Sequence, residues 1–348
     1  MHSFELEHDV PLAPLTTLEL GGAARHFTRV TDVDALRAAF RWAREEGHPV
    51  SVIGGGSNLI VPDAGYDGLV VHMAIGDIEF GEAGSVSVGA GVPWELVVDG
   101  AVTRGWAGLE CLTGIPGSTG ATPIQNVGAY GQEVAEVIAS VHVFDRETFQ
   151  RRELEPDACD FGYRDSLFKR DPGRFVVCSV RFQLRPGEAG EVRYPELAKK
   201  LSGETDLGEI RSAVLDLRRR KSMVVDPDDP NHRSAGSFFL NPVVSAATAA
   251  EIARLAVAEN LVPDAADVPR YPMADGSMKL AAGWLIEKAG VHKGTRQGPI
   301  GVSSRHALAL VHYGGGTTAA LLAFAAEIQT RVEDRFGIRL EREPRLLA

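Results

Sequence analysis

Apolar positions along the 348-residue chain follow two repeats, one near 3.6 and one of two, and the switches between them mark out the elements. From 32 to 46, Val33, Leu36, Phe40 and Ala43 share one helical face, and Gly47 stands where that helix should stop. A strand at 50–53 follows and empties directly into Gly54-Gly55-Gly56-Ser57-Asn58. Residues 69–184 read mostly as strands, with alternation or short apolar runs at 86–88, 137–143 and 175–182. A short helix after Pro93 should bury Trp94, Val97 and Val98. Another is expected at 207–220, with Ile210, Val214 and Leu217 inward. Its end, Arg218-Arg219-Arg220-Lys221, reads chiefly as solvated charge compensating the helix dipole.

Turn-forming residues at 226–231 place a domain boundary nearby. Beyond it, helices are expected at 248–260, opened by a Thr248-x-x-Glu251 capping box, and at 279–289, stopped by Gly290. A third, 317–336, carries Leu321, Phe324, Ile328, Val332 and Phe336 on one stripe, with Gly337 closing it. Residues 307–311 form a strand candidate, and 340–345 look too charged for core and too short to fold alone.

Charge and cysteine usage narrow the function classes. Thirty-six basic against 47 acidic residues leave a net charge of −11, which disfavours nucleic acid and anionic membranes as partners. Cys111, Cys159 and Cys178 make an odd set without a C-x-x-C, which argues for a reducing compartment and against a disulfide or zinc framework. The start has no basic and apolar leader pattern, and no run approaches the ~18 apolar residues of a membrane helix. A cytoplasmic protein without membrane insertion is expected. The ten histidines show no metal-ligand spacing, His306 and His312 read as structural, and no Gly-x-Ser-x-Gly elbow is present.

Chemistry concentrates in 115–131, Ile-Pro-Gly-Ser-Thr-Gly-Ala-Thr-Pro-Ile-Gln-Asn-Val-Gly-Ala-Tyr-Gly. Glycines let this backbone approach a ligand closely, prolines stiffen it, and successive amides can bind phosphate. Two surface turns would be the plain reading, but so long a stretch of turn chemistry is usually functional. The ribbon at 54–58 is neither a P-loop nor a dinucleotide fingerprint, because no Gly-Lys-Ser/Thr follows and Leu59 replaces the third glycine. Two ribbons together suit a large flat cofactor, one for its pyrophosphate and one for its ring. Arg164 and Asp165, among Phe161, Tyr163 and Phe168, read either as an ion pair at a sheet edge or as a fixed cation for an anionic substrate.

In this order, 115–131, 161–166, 235–242, 274–287 and the Leu340-Glu341-Arg342-Glu343 tail resemble the UDP-N-acetylenolpyruvoylglucosamine reductase family over nearly the whole chain. The resemblance implies an α+β chain: a two-subdomain FAD-binding fold of the vanillyl-alcohol-oxidase type plus a smaller α/β substrate-binding domain. The implied division is 1–71, 72–220 and 221–337, with the tail 338–348 returning to the active site. It implies FAD as cofactor, NADPH as hydride donor and an enolpyruvyl UDP-sugar as substrate, in a monomeric enzyme of peptidoglycan synthesis. No histidine lies in 54–58 or 115–131, so the flavin is expected to be non-covalent.

Carried over by position, Arg164 would hold the substrate carboxylate, Ser237 would donate the proton and Glu343 would sit beside the enol. Flavin contacts would come from Gly54, Gly55, Gly56, Ser57, Asn58, Pro116, Gly117, Ser118, Gly120, Ala121, Gln125, Asn126, Gly128, Tyr130 and Val177. Tyr194 would fold over bound substrate, and Lys221, Asn241 and Arg345 would contact the sugar nucleotide. Leu15-Thr16-Thr17, Ala121-Thr122 and Leu240 depart from patterns of relatives. Two alternatives stand beside this reading: a flavin oxidase of the same fold, and a non-catalytic nucleotide-binding module. The second has no need for Arg164, Ser237 and Glu343 together.

Overall fold

The computed structural model describes residues 4–201 and 205–348, so part of the N-terminal start read above for a leader lies outside the described residues. The first helix forms at Val33–Glu45, where the Asp32 carboxylate accepts from the N–H groups of Asp34 and Ala35 at 2.9 and 2.8 Å. Its buried face, Leu36, Ala39, Phe40 and Ala43, packs on a sheet ordered Glu7–Pro11, Ala23–Val30, Tyr66–Met73, Val50–Ile53. The outer pair of that sheet is antiparallel, and Tyr66–Met73 runs parallel to both Ala23–Val30 and Val50–Ile53. Val50–Ile53 therefore ends where the first glycine ribbon begins.

A second, antiparallel sheet follows, ordered Arg151–Leu154, Ile138–Asp145, Phe175–Gln183, Ser85–Gly89, Ile78–Phe80. The expected helix after Pro93 covers Trp94–Thr103, with Trp94, Val97 and Val98 buried. One hydrophobic core joins both sheets: Leu36, Phe40 and Val71 share it with Val97, Val141, Phe144 and Phe182, and the Phe40 and Phe144 rings lie 5.5 Å apart. From the ribbon at 115–131, Ile115, Ile124, Val127 and Ala129 pack against this core. The helix Leu207–Arg220, capped by Asp206, packs with Leu197 and Cys111 in a smaller cluster beside Tyr130.

Beyond the turn at 226–231, two three-stranded sheets and the helices Ala246–Ala258, Ala282–Lys288 and Thr318–Phe336 close over another core. Leu18, Leu20 and Ile60 enter this core from the N-terminal part, which seals the two regions together.

Four local expectations are corrected. The helix Ala246–Ala258 is capped by Ser245, whose hydroxyl accepts from Thr248 N at 3.0 Å, so Thr248 is the third helical residue and there is no Thr248–Glu251 box. Lys279 is not helical: Met278–Leu280 is a strand between Val243–Val244 and Arg270–Pro272, and the helix starts at Ala282. The strand expected at 307–311 is Leu310–His312, with 307–309 in the preceding turn. The tail is woven in, with Arg345–Leu346 pairing parallel to Leu59–Ile60 and Leu340 and Leu347 buried.

Candidate active site

The two glycine ribbons meet backbone to backbone. A Cβ on Gly54 would lie 2.2 Å from Ser118 Oγ, one on Gly55 2.8 Å from Gly117 Cα, and one on Gly117 2.8 Å from Ser57 Oγ. At Gly55 the neighbour is backbone and only glycine permits the approach, while Gly117 has a φ of +122° that favours glycine in its own right. Ser57 Oγ donates to Pro116 O at 2.8 Å, and Thr119 N and Gly120 N bind Val92 O and Ala90 O, fixing the second ribbon to the sheet. The departure at Leu15-Thr16-Thr17 is absorbed here: Thr17 Oγ1 donates to Ser57 O at 3.3 Å, bracing the first ribbon from outside. At the other departure, Thr122 Oγ1 donates to Thr119 O at 2.8 Å within its own turn. Among the described residues, the N–H groups of Gly55, Gly56 and Ser57 have no protein acceptor. Paired ribbons with free amides suit the pyrophosphate of the expected flavin.

Arg164 lies in a tight turn in which Gly162 and Asp165 exchange both backbone hydrogen bonds, at 2.9 and 3.2 Å. Its φ of +53° is in the left-handed region, as are those of Asn126 (+45°) and Tyr130 (+50°). Three non-glycine residues held this way in one site are a mark of imposed geometry. Arg164 donates through Nη1 to Asn126 O at 3.3 Å and through Nη2 to Gly128 O, and Nε lies 3.7 Å from Glu343 Oε1. Asp165 instead pairs with Arg170. The Arg164–Asp165 ion pair considered from the sequence is therefore absent, and the cation is turned inward.

Glu343 reaches this cluster from the tail. Gln125 Nε2 donates to its Oε1 at 3.3 Å, and Asn58 Nδ2 donates to Gln125 Oε1 at 2.5 Å and to Glu343 O at 3.4 Å. One chain of contacts thus links both ribbons to the tail carboxyl. Burial pushes the Glu343 carboxyl above the ordinary carboxylate range; Arg164, Lys169 and Gln125 pull it back only in part.

Ser237 precedes Phe238, whose N–H binds Leu308 O at 2.7 Å and whose carbonyl accepts from Glu343 N at 3.0 Å. The serine and glutamate are therefore tied through one buried backbone segment. The Ser237 hydroxyl is half-buried and has no protein partner among the described residues. Leu240 N binds Glu341 O at 2.9 Å, so that departure sits in the same seam. Asn241 uses Oδ1 to accept from Ala282 N, capping the next helix. Tyr194 is 38% exposed and meets Tyr130 edge-on at 5.3 Å. Lys221 pairs with Glu196 at 2.7 Å, next to Tyr194.

Other expected residues take supporting places. Asn126 is buried, its amide bound to Glu133, Gly162 O and Ala135 N. Val177 is a buried strand residue opposite Val143. Arg345 is exposed and lines an open groove with Arg339 and Arg342, and no contact joins it to Arg164 or Glu343 among the described residues. His312 is structural, bridging Leu18 O and Gly316 N at 3.0 Å each. Burial pushes all three cysteine thiols up to about 12, which leaves them inert.

Two site residues escaped the sequence reading. Lys279, which lies in a strand, sets its Nζ 4.6 Å from the Tyr163 ring centroid. Lys169 Nζ donates to Arg164 O at 2.6 Å. Lys169 lies within the short helix Leu167–Arg170 that directly follows the Arg164 turn.

Residues 228–347 match the family model described as UDP-N-acetylenolpyruvoylglucosamine reductase, C-terminal domain, and residues 24–148 match an FAD binding domain. The chain is 46% identical over 346 residues to the UDP-N-acetylenolpyruvoylglucosamine reductase of Thermobifida fusca, covering 97% of this chain and 96% of that protein. It is 47% identical over 352 residues to the Streptomyces avermitilis enzyme of the same name, covering 99% and 95%. The crystal structure of UDP-N-acetylenolpyruvylglucosamine reductase from Thermus caldophilus superposes with a TM-score of 0.67 at 26% identity, covering 99% of this chain and 100% of that one. With ribbons, inward arginine and tail carboxyl in one site and these relatives matched end to end, the chain belongs to the UDP-N-acetylenolpyruvoylglucosamine reductase family.

Proposed function

We propose that the protein is an FAD-dependent reductase that spends NADPH on the enolpyruvyl C=C bond of UDP-N-acetylglucosamine enolpyruvate, forming UDP-N-acetylmuramate for peptidoglycan. The observation that carries this reading is the inward Arg164–Glu343 pair, 3.7 Å apart, at the seam where both glycine ribbons and the tail converge. A simple nucleotide-binding module needs no such pair. FAD, held by the paired ribbons at 54–58 and 115–131, would supply the hydride-transfer chemistry between NADPH and the enolpyruvyl C=C bond.

The chain's residues do the rest. Arg164, its guanidinium held by two carbonyls, receives the substrate carboxylate toward which charge builds. Glu343, whose carboxyl burial pushes above the ordinary carboxylate range, offers a hydrogen bond to the same region when it carries its proton. One preorganised contact of this kind is commonly worth ~10²–10³ in rate. Ser237 delivers the proton to the carbon bearing the carboxylate. Tyr194 and the Glu196-paired Lys221 close over the sugar nucleotide, and Asn241 holds the helix start beneath it. We place the flavin in residues 1–71 and 72–220 and the substrate largely against 221–337, with the tail returning to the site. We further propose a cytoplasmic monomer, since NADPH and sugar nucleotides are cytoplasmic pools. The test is turnover: purified protein should consume NADPH only with the enolpyruvyl sugar nucleotide and yield a product two hydrogens heavier. Consumption without that product, passing to oxygen, would refute the reading.

A further inference from the structure

Lys169 lies in the last turn of the short helix Leu167–Arg170, opened by Ser166, whose hydroxyl accepts from Lys169 N at 3.3 Å. A cation there would ordinarily serve its own helix end. Instead its ammonium points back and donates to the carbonyl of Arg164 at 2.6 Å. That carbonyl belongs to a residue with φ of +53°, a conformation that a long L side chain holds only when its surroundings impose it. The guanidinium end of Arg164 is already fixed by Asn126 O and Gly128 O. Lys169 fixes the backbone end. Asp160 and Asp165, the acidic residues of this turn, are both paired with Arg170, which leaves the Lys169 charge to act toward Arg164 and Glu343.

We propose that Lys169 is a positioning residue of the reductive step: it locks the left-handed turn that presents Arg164 and adds positive charge behind the Arg164–Glu343 pair. It touches neither substrate nor flavin and acts through those two side chains. This inference rests on the proposed reaction, and its test separates the two.

The charged and titratable groups facing Glu343 are Arg164, Lys169 and Tyr163, with neutral Gln125 beside them; Lys279 faces Arg164 from further out, and Glu133 faces Tyr163 and Lys279. Removing the Lys169 charge should therefore move the Glu343 titration to higher pH. The experiment compares FAD-loaded wild-type, K169M, K169Q and K169R proteins by anaerobic stopped-flow of each half-reaction across pH. In K169M, flavin reduction by NADPH should stay near wild type while reoxidation by the enolpyruvyl sugar nucleotide slows ~10- to 100-fold, the scale of a lost charge-assisted hydrogen bond. The basic limb of reoxidation should shift upward. K169Q, which keeps a donor without charge, should show the same shift with a smaller rate loss, and K169R should recover most of the rate. A ¹³C NMR titration of the Glu343 carboxyl, assigned with E343Q, reads the shift without substrate. An unmoved Glu343 titration, wild-type reoxidation in K169M, or equal slowing of both halves would overturn the proposal. Wild-type protein that the enolpyruvyl sugar nucleotide fails to reoxidise would instead refute the functional reading alone.

Discussion

Arg164→Lys keeps the charge and should still disable half of the catalytic cycle. In the structure three nitrogens of Arg164 are engaged, at Asn126 O, Gly128 O and beside Glu343 Oε1. Lysine has one nitrogen and no planar fork. Whichever partner it serves, at least one carbonyl in a largely buried seam goes unpaired and a substrate carboxylate loses bidentate contact. A lost charge-assisted bond costs ~1.5–3 kcal/mol, which at ~1.4 kcal/mol per decade is ~10- to 150-fold in reoxidation rate. Reduction of the flavin by NADPH does not use the enolpyruvyl carboxylate and should stay within ~3-fold, the context scatter of a neighbouring contact. Anaerobic stopped-flow of both half-reactions measures this, with UDP-N-acetylglucosamine as a control ligand that lacks the carboxylate and should bind the variant as it binds wild type. Wild-type reoxidation in Arg164→Lys would remove the fork from the mechanism. Equal slowing of both halves would mean that the variant displaces the flavin.

Three further outcomes follow from the same geometry. Ser237→Ala should leave flavin reduction intact and slow reoxidation by ~10² or more, with Ser237→Cys retaining more, since a thiol can still deliver a proton; equal loss in both half-reactions would point to misplaced flavin. Gly55→Ala inserts a Cβ 2.8 Å from Gly117 Cα and 3.1 Å from Gly117 C, overpacking worth ~1–3 kcal/mol, so the protein should purify with reduced FAD content; full flavin occupancy would contradict the ribbon contact. His26 is buried, its Nδ1 3.1 Å from His8 Nδ1 and its ring 4.4 Å from that of His48. Burial, then His48 and His8, depress its protonation, so the folded state binds fewer protons than the unfolded one. Stability from this cluster is present above the unfolded value of ~6.5 and is lost as pH falls below it. Melts from pH 7 to 5 should show Tm falling more steeply in wild type than in His26→Phe.

Elements with strong local signals were legible in the sequence. Leu207–Arg220 and Thr318–Phe336 combine amphipathic stripes with a capping Asp206 or Thr317 and lie where the periodicity predicts. Lys279 was misread because a short apolar run suits strand and helix alike, and pairing with Val243 and Tyr271 settles it for strand. The tail misled because charge was counted without direction. Arg342 and Glu341 are exposed, while Glu343 turns into a seam that exists only after Leu59–Ile60 pairs with Arg345–Leu346. Glycine ribbons announce themselves in sequence, but their mutual contact does not. Ser57 and Pro116 are 59 residues apart and meet only through the fold. Arg164 was singled out by its aromatic neighbours, whereas the lysine that holds its carbonyl depends on a backbone angle that no residue pattern displays.

The most direct measurement is an anaerobic titration of the purified protein followed by flavin absorbance. The account predicts a yellow protein that releases FAD on denaturation, is bleached by NADPH, and regains its colour on stoichiometric addition of UDP-N-acetylglucosamine enolpyruvate. A colourless protein, a covalently held flavin, or a reduced flavin that only oxygen can reoxidise would contradict it.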